Sequence, residues 1–261
     1  MHKDSIAGTL CVAAAVCVVC SVFVSTTAVM LKPLQDENKR LDMRKNILIA
    51  AGLYDEDSKK SEINSLFEQI DSKVIDLATG EYVDNVNPEE FDQRKAAKDP
   101  KQSKKIDSKE DIAGIKRRSD RRIVYFKRDG DKVERVILPV YGKGLWSTMY
   151  GFIALDSDLN TVKSFGFYDQ AETPGLGGEV DSDKFKKNWV DKKAFDEQGA
   201  PVIAVIKGTV DKTNPNAVHQ IDGISGATIT CDGVSRLVQF WLGEKGYGKF
   251  LEKLQAEIDK G

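Results

Sequence analysis

The run from Asp222 to Thr228, DGISGAT, gathers an acid and two hydroxyls around small residues, just ahead of a stretch with helical spacing. Three chemistries suit it. Ser225 could be a nucleophile with His219 as its base, but Gly223-Ile224-Ser225-Gly226 is not the G-x-S-x-G elbow, and His219 is the only histidine besides His2. Thr228, Thr230 or Asp232 could cap the helix that follows, a contribution of about 1 kcal/mol. Thr228 could instead hold a phosphate, because free N–H groups and the helix dipole favour an anion at a helix start. Gly226 and Ala227 leave room for a bulky group, and Asp222 could order the loop. One histidine and one cysteine after the N-terminal apolar stretch cannot supply the usual zinc ligands, so no metal site is expected.

A second cluster is AETPGLGGEVDS, residues 171–182. Pro174-Gly175 suits a type II turn, and Gly177-Gly178 lets the backbone approach another surface closely. The spacing fits neither a Walker A loop nor a dinucleotide fingerprint. A flat ligand lying against this loop remains open beside the plainer reading of a connection. Trp146, in GKGLWSTMYG, could stack on an aromatic group, although tryptophan alone more often signals core.

The elements that must position these residues are legible from periodicity. Val234, Leu237, Val238, Trp241 and Leu242 fall on one helical face, so a helix should begin near 229–233. Upstream the period is two: RIVYFKRDGDKVERVILPVYG reads as a hairpin about Asp129-Gly130, and MYGFIALDSDLNTVKSFGFYDQ as another with its turn near 156–160. PVIAVIKGTV predicts a strand over 201–210. Strands followed and preceded by helices make the class α+β, with a mostly antiparallel sheet flanked by helices.

The N-terminal part has a different character. Residues 6–31 carry no charge and are long enough to cross about 30 Å of hydrocarbon as one helix. The apolar run exceeds the roughly 7–15 residues of a signal peptide's apolar region, and no A-x-A cleavage site follows, so it reads as an uncleaved anchor. Cys11, Cys17 and Cys20 lie inside it as small apolar residues, leaving Cys231 without an internal disulfide partner. The expected organisation is a tail over 1–5, a membrane helix over 6–31, a helical lead over 32–91, a basic solvated segment over 92–122 and a core over 123–261. The basic segment has no interleaved aromatics and no nucleic-acid motif, so no nucleic-acid partner is expected. The basic residues after the span, Lys32, Lys39, Arg40, Arg44 and Lys45, read naively, keep the domain in the cytoplasm; long domains escape that rule, and the side stays open.

Asp222-Gly-Ile-Ser225-Gly226-Ala227-Thr228 resembles the flavinylation motif D-x-x-S/T-G-A-T/S, in which a flavin transferase joins FMN through its phosphate to the last hydroxyl. GLWSTMYGFIAL and ETPGLGGEV are similar to the flavin-domain blocks of NqrC, the covalent FMN-binding member of Na+-translocating NADH:quinone oxidoreductases, and the likeness spans essentially the whole chain. The corresponding flavin-bearing member of Rnf electron-transport complexes, RnfG, shares the anchor and motif, but the Gly144-Leu145-Trp146 and Met149-Tyr150-Gly151 pattern is more like the former. The resemblance implies FMN as a phosphoester on Thr228, with Trp146, Glu172, Thr173, Gly175, Leu176 and Gly177 about the ring. It implies one-electron transfer between an iron–sulfur centre and the flavin of a neighbouring subunit, in a complex that oxidises NADH, reduces ubiquinone and pumps sodium. The chain itself would have no NADH site. It would sit in the bacterial inner membrane, among the other subunits, with its domain in the periplasm. Two rivals are a tethered hydrolase using Ser225 and His219, and a flavin-free assembly protein.

Overall fold

A computed structural model describes residues 5–54 and 59–260. Helix α1 (Ile6–Ala51) contains an 18-residue window of mean hydropathy 2.5 and is long enough to cross a membrane. It outlasts the apolar run because the charged residues after position 31 are mostly good helix formers. Residues 1–43 group as one compact unit and 44–261 as another.

Within the second unit, Ile47, Leu48, Ala50 and Ala51 at the end of α1 are buried. A short helix α2 (Ile63–Phe67) leads into strand β1 (Ile70–Asp76). Next come α3 (Gln93–Lys98), β2 (Ser103–Lys105) and β3 (Arg117–Ser119). The long strands β4 (Arg121–Asp129), β5 (Lys132–Lys143), β6 (Thr148–Asp156) and β7 (Val162–Asp169) follow. The chain closes with α4 (Asp183–Lys187), β8 (Ala204–Val205), β9 (Gln220–Ile221), α5 (Thr228–Leu242) and α6 (Gly248–Ile258).

The main sheet runs β1-β4-β5-β6-β7, antiparallel throughout, as the α+β reading expects. Gly130, with φ of 57°, turns the first hairpin, and the second turns over residues 157–161 between β6 and β7. Pro139 stands in a central strand, where a missing N–H is normally costly. It is accommodated because β4 pairing ends at Ile137, while Pro139 itself registers with Phe152 on β6. The predicted face of α5 is the buried one: Val234, Leu237, Val238, Trp241 and Leu242 are all at most 1% exposed. Each such side chain contributes about 1.5–3 kcal/mol by leaving water. The Trp241 indole N–H donates to the Tyr141 carbonyl at 2.6 Å, fixing α5 to β5.

Four expectations need correction. The lead over 32–91 is not helical throughout, since Ile70 opens an edge strand instead of ending a helical stripe. β1 pairs with β4 from Ile70↔Lys127 to Asp76↔Arg121, a partner remote in sequence. The core therefore begins well before residue 123. The basic segment over 92–122 is ordered: Asp92 caps α3 by accepting from the N–H groups of Arg94 and Lys95, and Arg117 donates to Ser103. Small buried residues, Ala96 and Ala113, replace the large apolar ones that such a segment lacks, and Arg122 is buried too. The strand over 201–210 shrinks to Ala204–Val205, paired in parallel with Gln220–Ile221.

Candidate functional site

Two loops and the first turn of α5 are tied together by one carboxylate. Glu172, 5% exposed, lies just after β7, and its Oε1 accepts from the N–H groups of Trp146 and Ser147, both at 3.0 Å, and from Ser147 Oγ at 3.2 Å. Its Oε2 accepts from the Leu145 N–H at 3.1 Å and from Thr230 Oγ1 at 2.8 Å. The turn between β5 and β6 thus offers successive N–H groups as an anion nest, and an internal carboxylate fills it. Burial pushes the Glu172 carboxyl up, but hydrogen bonds from Ser147, Thr230, Trp146 and Leu145 outweigh it and hold the group below its ordinary range.

Gly177 makes this approach possible. A Cβ there would lie 2.6 Å from Thr230 Oγ1 and 3.1 Å from Glu172 Oε2. Gly175 has φ of 75°, as the second corner of a type II turn after Pro174 requires. Thr173 and Leu176 on this loop are exposed. Trp146 is 67% exposed, so the core reading of that residue fails.

The Asp222–Thr228 segment has its own anchors. Asp222 Oδ1 accepts from the Val210 N–H at 2.7 Å, holding the loop to the strand-like run beside it. Gly226 has φ of 75°, and a Cβ on it would meet Leu176 Cδ2 at 3.0 Å, so this turn adjoins the 172–177 loop. Helix α5 starts from Ala227 as N-cap, without a side-chain cap, which overturns the cap readings of Thr228, Thr230 and Asp232. Thr230 is instead committed to Glu172. The N–H groups of Thr228, Ile229 and Thr230 donate to no described residue, and the exposed Thr228 hydroxyl bonds to none either. Ser225 is also exposed.

A pocket of about 370 Å³ opens at this point, lined among others by Lys207, Thr209, Ser225, Gly226 and Thr228. Leu145 and Trp146 on the turn between β5 and β6, Leu176 on the 172–177 loop and Ile229 in the first turn of α5 are exposed apolar side chains. Free N–H donors, a lysine and apolar side chains suit a ligand with a phosphate at one end and a flat ring at the other. His219 Nδ1 donates to the Lys193 carbonyl at 2.8 Å, and among the described residues no hydrogen bond joins it to Ser225. That geometry gives a Ser-His pair no support. Sequence reasoning missed Ser147 and Lys207; nothing local marks a serine or lysine that acts only through chain remote from it.

Residues 144–243 match the FMN-binding domain family. Over 255 residues the chain is 49% identical to the C subunit of the Na(+)-translocating NADH-quinone reductase of Pseudomonas aeruginosa, covering 97% of this chain and 98% of that one. It is 46% identical to the protein of the same name in Vibrio vulnificus over 254 residues, 97% of each chain. The crystal structure of Shewanella oneidensis NqrC superposes with a TM-score of 0.77 at 34% identity, covering 84% of this chain and 99% of that one. Near-complete coverage at such identity, on this fold and over these three loops, makes the chain a member of the NqrC family of Na(+)-translocating NADH-quinone reductases.

Proposed function

We propose that the chain carries FMN covalently, as a phosphoester on Thr228, and serves as a membrane-anchored electron carrier within a sodium-translocating NADH:quinone reductase. The observation that carries this reading is the start of α5, where an unengaged threonine hydroxyl stands among three N–H groups without acceptors. Free donors and the helix dipole favour a phosphate at that place. Lys207 supplies a cation in the same pocket.

The flavin, once bound, supplies one-electron chemistry between an iron–sulfur centre and the flavin of a neighbouring subunit. The chain's own residues hold and orient it. Thr228 is an acceptor once, when a flavin transferase recognises Asp222, Ser225, Gly226 and Ala227, and takes no part in turnover as a nucleophile. Trp146, Thr173 and Leu176 offer exposed side chains to the ring, and Gly175 turns the loop that carries the latter two. Glu172 and Gly177 act one step back: the carboxylate locks the 145–147 turn to α5, and the glycine lets it come close. No NADH site belongs to this chain, and its domain lies in the periplasm beside the other subunits, tethered through the lipid bilayer.

Mass spectrometry of the tryptic peptide containing Thr228, from protein expressed beside its flavin transferase, tests the assignment. The expected peptide carries the mass of FMN less water. Thr228→Ala should abolish in-gel flavin fluorescence and Thr228→Ser should retain it. An unmodified wild-type peptide would overturn the reading.

A further inference from the structure

The basic run that the flavin blocks leave unexplained builds the wall of a second pocket. This pocket, of about 460 Å³, is lined by six cationic side chains, Arg94, Lys98, Lys116, Arg117, Arg122 and Lys143, and by no aspartate or glutamate. Asp169, bonded to Arg94 Nη1 at 2.7 Å, is the one carboxylate paired with any of the six among the described residues. Arg117 donates to Ser103 and Lys143 to the Trp146 carbonyl. The side chains of Lys98 and Lys116 have no hydrogen bond or ion pair to any described residue.

Arg122 is the decisive member. It is 2% exposed, and its Nε donates to the Tyr247 hydroxyl at 3.2 Å and its Nη2 to the Pro139 carbonyl at 3.0 Å. Its guanidinium lies 4.6 Å from the Trp241 ring and 5.2 Å from that of Tyr141. Every partner is neutral, and Nη1 bonds to no described residue. A guanidinium stays charged at any physiological pH, and burying one without a counter-charge is costly. Rings and a carbonyl offset part of that cost; an anion in the pocket would offset the rest. Lys116 is held beside it in a conformation that side-chain-bearing residues rarely adopt, φ 62°, by Asp111, whose two oxygens accept from the Ile115 and Lys116 N–H groups at 2.9 and 2.7 Å.

We propose that this pocket binds a small multivalent oxyanion, of the class of phosphate, pyrophosphate or a tricarboxylate. Arg117 and Arg122 each keep Nη1 without a bond to a described residue, and these guanidinium donors, with the Lys98 and Lys116 ammonium groups, suit such oxygens. The ligand is compact and carries no nucleobase. Tyr141 and Tyr150 already stack on each other, 5.4 Å apart and 16° from parallel, and Arg94 covers Tyr150 at 3.6 Å. The site is separate from Thr228 and does not depend on flavin attachment.

Calorimetric titration of the full-length protein in detergent, at constant ionic strength, tests this with pyrophosphate, orthophosphate and citrate. Saturable one-to-one binding of pyrophosphate or citrate is expected, tighter than that of orthophosphate. A preference for pyrophosphate assigns a phosphorylated ligand, and a preference for citrate a carboxylate one. The exposed pair Lys98→Glu and Lys116→Glu should weaken binding by about tenfold or more with thermal unfolding unchanged. That pair decides the matter even where a variant at the buried Arg122 fails to fold. Heats no different from those of sodium chloride, or undiminished affinity in the double variant, overturn the proposal.

Discussion

Glu172 concentrates most of the site's internal order in one side chain, because five donors from two remote segments converge on its two oxygens. Replacing it with glutamine removes the charge and leaves one oxygen in place of two, against bonds that each contribute about 1.5–3 kcal/mol when the acceptor is ionised. Glu172→Gln is predicted to lose about 2–3 kcal/mol in urea unfolding. The pH dependence has a defined sign. The folded carboxyl titrates below its ordinary 4.5, so its contribution is complete above that pH and is lost as pH falls through the lower folded value. The wild type should lose that increment on acidification below 4.5, and Glu172→Gln should lack that part of the acid limb. Parallel acid limbs in the two proteins would refute the clamp.

At the scale of elements, α5 has two duties that physics couples. Its apolar face docks on the sheet through Leu237, Val238 and Trp241, and its first turn presents Thr228. Leu237→Ala, at a fully buried position, should cost about 2–5 kcal/mol by transfer and cavity terms together. Trp241→Phe should cost about 1–3 kcal/mol, since the Tyr141 carbonyl is left without its donor. Both variants should reduce covalent flavin per expressed chain in proportion to the folded fraction, measured by circular dichroism beside in-gel fluorescence. Loading that stays at the wild-type level while α5 is undocked would mean that the transferase reads the motif as an unfolded peptide.

For the whole chain, the prediction concerns the side of the membrane that the domain occupies, proposed above to be the periplasm. Cys231 cannot report it: it is 4% exposed, and burial pushes its thiol up, away from the reactive thiolate. A cysteine at Lys132, the exposed first residue of β5 beside the hairpin turn, serves instead. An impermeant maleimide should label Lys132→Cys in intact cells whose outer membrane admits it. Labelling that requires rupture of the inner membrane would place the domain in the cytoplasm and remove the periplasmic reading.

Features that depend on near neighbours along the chain are legible in the amino-acid order. Uncharged residues 6–31 dictate a helix that suits lipid, Asp129-Gly130 dictates a hairpin, and the spacing from Val234 to Leu242 dictates which face of α5 is buried. The Asp222–Thr228 motif is likewise readable, because it consists of consecutive residues. Features that depend on distant partners emerge only once the chain is packed. Ile70–Asp76 becomes a strand because β4 supplies its ladder, and the charged run 92–122 is also tied down from outside, where Arg94 pairs with Asp169 and the Lys143 N–H donates to the Ala113 carbonyl at 2.8 Å. Glu172 looks from its loop like a ligand contact; three-dimensional closure turns its carboxylate onto Ser147 and Thr230. Arg122 looks like one more solvated charge until the sheet and α5 close over it, since burial is a property of the packed chain and has no local code.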